Sequence, residues 1–229
     1  MINRLRPLFN AIFTPPARLL NRLGVHPNVV TAAGIPIYAG VCWLLATGRW
    51  RAAVALGVAT GLLDVLDGVM ARESGKQSRF GAVLDSTCDR LVEILVALGL
   101  AIFYLRAPAA NAPGLVLCFT MITGSLMVSY VRARAEGAGI QCKAGLMQRA
   151  DRLVVMGVAL LAGPTWVLWA MGIVAVLSYV TVVQRLIVTA RNAGAAAPAS
   201  GSHPVGDLHS EKAQGESEFV EGQPDQRQP

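Results

Sequence analysis

Six long apolar stretches dominate this chain and decide what it can fold into. They cover residues 28–47, 51–70, 81–105, 113–131, 153–163 and 166–188, and the mean hydropathy of the whole sequence is +0.50. An α-helix needs about 20 apolar residues to cross roughly 30 Å of hydrocarbon, and all the stretches except the fifth are long enough. The sequence therefore predicts an all-α integral membrane protein with six transmembrane helices.

The first 27 residues differ from these stretches because arginines interrupt their apolar positions. Leu5, Leu8 and Ile12 recur at helical spacing, with Arg4 and Arg6 beside them. An apolar helix face flanked by arginines is typical of a segment that lies in the lipid headgroup layer. We therefore predict an N-terminal amphipathic interfacial helix within residues 1–27, followed by a membrane domain over residues 28–191.

Residues 192–229 change to a composition of Ala, Gly, Ser, Pro, Gln and Glu. They contain the acids Asp207, Glu211, Glu216, Glu218, Glu221 and Asp225 against the bases Lys212 and Arg227. Such a segment has too few apolar residues to form a core, so we predict a disordered acidic tail. Because the tail is acidic while the whole chain carries a net charge of +6, the membrane body is strongly basic, which favours anionic lipids and substrates.

Arginine and lysine are concentrated on one side of the predicted membrane domain. The N-terminus, the connections 70–81 and 132–152, and the C-terminal end hold most of them, whereas the opposite side has Arg49, Arg51 and Arg106. The positive-inside rule then places both termini in the cytoplasm and predicts a multi-pass protein of the inner (plasma) membrane. We expect membrane lipids, and no nucleic acid, among its partners. The cysteines are far apart without a CxxC pair, so neither disulfides nor a zinc site is predicted.

Four aspartates lie at the ends of the second and third apolar stretches, in the pattern Asp64-x2-Asp67-Gly68-x2-Ala71-Arg72-x8-Gly81-x3-Asp85-x3-Asp89. On helices, the spacings i, i+3 and i, i+4 put each pair on one face. Carboxylates at a membrane edge are costly unless they serve chemistry. Hard divalent cations prefer such oxygen ligands, and two ions about 3.5–4 Å apart can act on both sides of a phosphoryl displacement. The aspartates therefore predict a site for two Mg²⁺ ions, with Mn²⁺ as the alternative, and Arg72 is placed to neutralise a phosphate.

This pattern resembles the full signature of the CDP-alcohol phosphatidyltransferases, with no departure at any defining position. The resemblance implies a six-helix membrane fold, usually a homodimer, whose cytoplasmic cavity transfers a phosphatidyl-type group from a CDP-linked lipid to an alcohol and releases CMP. It makes Asp64, Asp67 and Asp85 metal ligands, and Asp89 both a metal ligand and the catalytic general base. It also implies that the CDP-lipid is bound by Gly68, Ala71, Arg72, Ser78 and Gly81.

The acceptor alcohol must be predicted from other positions, because the signature is shared by enzymes with different acceptors. Arginines at the cytoplasmic ends of three stretches form a candidate anion pocket, which favours an acceptor that already carries a phosphate. The surrounding segments are similar to the phosphatidylinositol phosphate synthases of actinobacteria. That similarity implies that Arg132, Arg152 and Arg185 bind the phosphate of inositol phosphate, with Arg134 and Arg149 as additional candidates, although the position of Arg132 is often lysine there.

Other readings stay open at this stage. The predicted reaction joins CDP-diacylglycerol and inositol phosphate to give phosphatidylinositol phosphate and CMP. A glycerol 3-phosphate acceptor, as in phosphatidylglycerophosphate synthase, is the next alternative, because it too is an anion that an arginine pocket would hold and its synthase shares the signature. An ether-lipid donor is also compatible, since the lipid tails contact only apolar surface. A membrane transporter is a third reading, because acids within membranes also mark ion pathways. The clustering of these acids at one interface favours the enzyme.

Overall fold

The computed structural model of the chain describes residues 6–106, 111–142 and 144–195, which form seven α-helices and no β-strand. These are α1 (Arg6–Arg22), α2 (Pro27–Ala46), α3 (Trp50–Glu73), α4 (Arg79–Arg106), α5 (Ala112–Gly137), α6 (Arg149–Ala162) and α7 (Pro164–Ala195). The predicted N-terminal helix corresponds to α1 and the six apolar stretches to α2 through α7. The all-α prediction is confirmed. The predicted tail falls almost wholly outside the described residues.

Four helices in the described residues are long and apolar enough to cross a membrane, which confirms the membrane character of the chain. They are Pro27–Ala46, Trp50–Glu73, Ala112–Gly137 and Pro164–Ala193. The helix α4 has 28 residues, but Asp85, Asp89 and Arg90 lie in its first half and Glu93 lies at its middle. The helix α6 has 14 residues, which extend about 21 Å. A count of six spans therefore stays a prediction that depends on these two helices.

Helix α2 packs against both α3 and α4 and so holds together the two helices that carry the aspartates. Gly99 makes the α2–α4 approach close: a Cβ atom there would lie 2.6 Å from the carbonyl oxygen of Cys42 and 2.9 Å from the Cβ of Leu45. Helix α1 packs against α3, and Arg18 forms an ion pair with Glu73 at 2.9 Å. Helix α4 also packs against α5, and α3 against α6.

The outer surfaces of the helices are apolar, as expected of a protein surrounded by lipid. Large side chains such as Phe119 and Trp169 are 71% and 68% exposed, while Leu45, Leu100 and Met171 are fully buried in the interior. In water, an apolar surface of this extent would drive association. In a bilayer it contacts lipid tails of the same polarity, so only the interior packing and the polar contacts distinguish one helix arrangement from another.

The connection between α5 and α6 is not helical, yet much of it is buried against α7. Cys142 and Met147 in this connection are 0% and 4% exposed. The backbone nitrogen of Met147 donates to the hydroxyl of Thr181 at 3.2 Å, and Arg185 Nε donates to the carbonyl oxygen of Ala144 at 2.9 Å. Side chains of α7 thus bind polar backbone groups of the connection, which non-helical backbone requires at membrane depth. The chain divides into two compact units, and the contacts described above belong to the first, Met1–Ala190. Of the second unit, the structure describes residues 191–195, the last residues of α7.

Candidate active site

The four aspartates lie where α3 ends and α4 begins. Asp64 and Asp67 are in the last three turns of α3, and Asp85 and Asp89 are in the first three turns of α4. Only residues 74–78 separate the two helices, so the aspartates come to the same end of the bundle. Gly34 of α2 lies beside them, since a Cβ atom at that position would be 3.7 Å from Asp64 Oδ1.

Ligand-binding cavities have volumes of about 300–1,000 Å³, and the cavity beside the aspartates has a volume of about 640 Å³. It is bordered by Asp64, Asp67 and Asp85 and by all five residues predicted to bind the CDP-lipid, namely Gly68, Ala71, Arg72, Ser78 and Gly81. A much smaller adjoining cavity is lined by Asp64, Asp85 and Asp89. The structure therefore brings the predicted metal and nucleotide residues together around one connected region.

Two of the carboxylates are engaged by neighbouring side chains. Asp67 is buried, and its Oδ2 accepts a hydrogen bond from the hydroxyl of Thr31 in α2. Asp89 Oδ1 is 2.8 Å from Arg149 Nη2, and its Oδ2 is 3.7 Å from Arg90 Nη1. In this arrangement no group of three acidic, histidine or cysteine side chains within the described residues is positioned to hold a metal ion.

The chemistry of the donor set nevertheless fits a hard divalent cation. All four groups are carboxylates, and they border cavities that share Asp64 and Asp85. Magnesium and manganese ions select such oxygen donors over nitrogen and sulfur. A metal ion bound here would compete with Thr31 for Asp67 and with Arg149 for Asp89.

Gly81 and Ser78 form a tight turn at the start of α4. Ser78 Oγ accepts a hydrogen bond from the backbone nitrogen of Gly81 at 2.9 Å, as a helix N-cap does. A Cβ atom on Gly81 would lie 3.1 Å from Ser78 Oγ and 3.2 Å from Asn28 Oδ1. Gly81 therefore keeps this edge of the cavity open, and Ser78 has a structural role in addition to its predicted contact with the ligand.

A second cavity, of 260 Å³, is lined by arginines, and two of them, Arg90 and Arg149, form ion pairs with Asp89. Its lining residues are Arg90, Val128, Ser129, Arg132, Gln148, Arg149, Ala150, Arg152 and Arg185. All three arginines predicted to bind the acceptor phosphate are among them. Arg149 also lines this cavity, whereas Arg134, the other additional candidate, does not. Five guanidinium groups around so small a volume form a site suited to a phosphate group.

The three predicted arginines are held in different ways. Arg132 is exposed, and its Nε is 2.8 Å from Glu136 Oε1. Arg185 is buried, with Nε bonded to the carbonyl of Ala144 and Nη1 to the carbonyl of Val128. Arg152 is buried at 5% exposure. Two of the three guanidinium nitrogens of Arg185 thus donate hydrogen bonds to backbone carbonyl groups. The sequence pattern does not reveal this structural role.

Glu93 is the functional-site residue that the sequence analysis missed. Its Oε1 lies 2.9 Å from Arg152 Nη2 and 3.7 Å from Arg149 Nε, and its Oε2 accepts a hydrogen bond from Ser125 of α5. Because Arg149 also contacts Asp89, it joins the arginine-lined cavity to the aspartates. The available signal was spacing: Glu93 follows Asp89 by four residues and so shares its helix face.

Comparisons with known proteins point to one family. The family model described as CDP-alcohol phosphatidyltransferase matches residues 24–183. Archaetidylinositol phosphate synthase of Methanothermobacter thermautotrophicus is 34% identical over 191 residues, which cover 82% of this chain and 93% of that protein. Phosphatidylinositol phosphate synthase of Mycobacterium tuberculosis is 36% identical over 189 residues, covering 79% of this chain and 87% of that protein.

Solved structures agree with these matches. The crystal structure of Mycobacterium tuberculosis phosphatidylinositol phosphate synthase with CDP-DAG bound has a TM-score of 0.77 and 33% sequence identity, and the alignment covers 83% of this chain and all of that one. The same enzyme in complex with manganese and citrate has a TM-score of 0.75 at 33% identity, covering 82% of this chain and 93% of that one.

Proposed function

Because the chain belongs to the CDP-alcohol phosphatidyltransferase family, we propose that it transfers the phosphatidyl group of CDP-diacylglycerol to inositol phosphate. The products are phosphatidylinositol phosphate and CMP. The observation that carries this assignment is the arginine-lined cavity joined through Arg149 to Asp89. A phosphate bound in this cavity would lie next to the predicted catalytic acid, which supports the proposal. The family membership also sets aside the transporter reading, since the family consists of enzymes.

The acceptor assignment has two further supports. The relatives from Methanothermobacter and Mycobacterium are both named as inositol phosphate enzymes, although their names differ in the lipid part. A phosphate held by the arginines would leave the hydroxyl groups of the same molecule facing Asp89. An unphosphorylated alcohol would instead leave the buried Nη1 of Arg152 and Nε of Arg149 without a phosphate oxygen to accept their hydrogen bonds, which is costly in a desolvated site.

In the proposed reaction, Asp89 accepts the proton of the attacking hydroxyl. The hydroxyl oxygen forms a bond to the lipid-bearing phosphorus, the bond from that phosphorus to the bridging oxygen breaks, and CMP leaves with that oxygen. Gly68, Ala71 and Gly81 let the diphosphate approach the backbone of α3 and α4, and Arg72 offsets its charge. When bound by the four aspartates, divalent cations stabilise the charge on the diphosphate and on the leaving group.

The finer predictions on metal and assembly remain proposals. A relative crystallises with manganese, which supports a divalent-metal enzyme, and we propose two Mg²⁺ ions in the cell, on Asp64, Asp67, Asp85 and Asp89. We also propose that α2 to α7 are six spans and that both termini face the cytoplasm, because arginines surround the site at that end. Finally, we propose that the protein forms a homodimer in the inner membrane.

One assay tests the assignment. Purified protein in detergent is supplied with CDP-diacylglycerol, Mg²⁺ and one of three acceptors, and CMP release is measured. Inositol phosphate should be used more efficiently than myo-inositol by at least on the order of 10³ in kcat/KM, because the site is built to bind a phosphate. Glycerol 3-phosphate is the matched anionic comparison. Equal rates with myo-inositol, or a preference for glycerol 3-phosphate, would refute the acceptor assignment, and an absence of CMP release with every acceptor would refute the reaction.

A further inference from the structure

Glu93 is a buried acid without an assigned part in the reaction. It lies on α4 one turn after Asp89, and its side chain is only 10% exposed. A carboxylate at such a depth is costly unless it is paired and hydrogen-bonded. Both of its oxygens have partners, because Oε1 accepts from Arg152 of α6 and Oε2 accepts from Ser125 of α5. Side chains from two other helices therefore fix the position of this carboxylate.

The fixed carboxylate in turn sets the orientation of Arg152. Nη2 of Arg152 is bonded to Glu93, while Nη1 is buried and has no hydrogen-bond partner among the described residues. The residue is 5% exposed and lines the arginine cavity. An unpaired donor buried at the wall of a cavity is available to an acceptor atom of a molecule bound there. Nη2 of Arg152 is therefore bound to the protein, whereas Nη1 is available to a bound anion.

Charge balance gives Glu93 a second effect. Arg149 and Arg152 are three residues apart on α6 and so lie on one face, where two like charges repel. Glu93 Oε1 lies 2.9 Å from one guanidinium and 3.7 Å from the other. A single carboxylate between them offsets that repulsion and keeps both cations at the cavity before any ligand arrives. Asp89 is the nearer anion to Arg149, with Oδ1 2.8 Å from Nη2, whereas Glu93 is the acid that contacts both arginines.

We infer that Glu93 is a positioning residue that holds Arg152 and Arg149 in the orientation that binds the phosphate of the acceptor. The inference rests on the proposed function and deepens it, because it assigns acceptor affinity to a residue that touches no substrate. Glu93 acts through Arg152, so its effect should fall on the acceptor and not on the CDP-lipid.

The test is the variant Glu93→Gln, which keeps the shape of the side chain and removes its charge. Loss of a charge-assisted hydrogen bond to Arg152 should raise the KM for inositol phosphate by about ten- to a hundredfold. The KM for CDP-diacylglycerol should stay unchanged, and Glu93→Asp, which keeps the charge, should recover part of the loss. Glu73→Gln is the matched control, since Glu73 is also paired with an arginine but lies outside the arginine cavity.

A double-mutant cycle separates positioning from general support of the fold. In an Arg152→Lys background, Glu93→Gln should change the acceptor KM by less than about twofold, because the residue through which Glu93 acts is already altered. Additive effects would overturn the inference. So would an unchanged or lowered acceptor KM, a rise in both KM values, or loss of folding in Glu93→Gln. Absence of CMP release by the wild-type protein would instead refute the proposed function, so the two failures are distinguishable.

Discussion

Replacement of Gly99 by alanine tests the close contact between α2 and α4, which lies toward the ends of these helices away from the aspartates. The added Cβ would lie 2.6 Å from the carbonyl oxygen of Cys42, whereas ordinary contact begins at 3.4 Å. The obstacle is backbone, which cannot rotate away as a flexible side chain can. The two helices must therefore move apart in the variant.

The expected cost follows from two opposing effects. Overpacking of a well-packed interface costs about 1–3 kcal/mol. Alanine is better than glycine in a helix by roughly 1 kcal/mol, which offsets part of that cost. Gly157→Ala is the matched control, because Gly157 is inside α6 and a Cβ there would meet nothing within 4 Å. Gly99→Ala should thus be less stable than Gly157→Ala by about 1–3 kcal/mol, the cost of the clash alone.

The four cysteines provide the assay. All of them are free and buried, so a thiol-reactive dye reports their exposure when the protein unfolds in detergent. Gly157→Ala should unfold at or above the wild-type temperature, and Gly99→Ala below it. If the two variants unfolded at the same temperature, the contact between α2 and α4 would be looser than the distances indicate, and the reasoning would be wrong.

Three further outcomes are expected. Asp89→Asn should lower CMP release by about 10²- to 10⁴-fold, the usual contribution of a general base, with an unchanged unfolding temperature; retention of activity would remove Asp89 from this role. Chelation of divalent cations should stop turnover, and Mg²⁺ or Mn²⁺ should restore it; turnover that persists without them would exclude the metal sites. Thr31→Val removes the hydroxyl group that donates a hydrogen bond to Asp67 and should reduce activity about tenfold or more. Thr47→Val, at the other end of α2, is the control and should leave activity unchanged. Equal activities of the two variants would show that Asp67 does not need the hydrogen bond from Thr31.

Local patterns in the sequence were sufficient to predict the helices and the aspartate cluster. Apolar stretches predict helix positions because the length and composition of a helix are properties of one continuous segment of the chain. In the same way, the spacing of the aspartates predicts that Asp64 and Asp67 share one helix face and that Asp85 and Asp89 share another. The family prediction is confirmed by the match over residues 24–183. The resemblance also identified Gly68, Ala71, Arg72, Ser78 and Gly81, which line one cavity together.

Contacts between helices were harder to predict, since they depend on how neighbouring helices are rotated about their axes. Glu93 was missed because its partners, Arg152 and Ser125, are 59 and 32 residues away along the chain. The bonds from Arg185 to the carbonyls of Val128 and Ala144 are equally remote in sequence. Positive-inside topology accounts for arginines at helix ends, but it does not distinguish those that bind backbone from those that remain for a ligand.

The short α6 and the buried connection before it have a consequence for substrate access. In the proposed arrangement of six spans, a helix of about 21 Å would leave part of a roughly 30 Å hydrocarbon layer uncrossed, and the connection bound to α7 would fill that depth. The arginine cavity is lined by residues at this junction, so in that arrangement a water-soluble acceptor would reach it without entering the lipid phase. The fatty chains of the donor stay in the leaflet throughout. The acceptor would thus stay in water and the donor in the membrane while the two react.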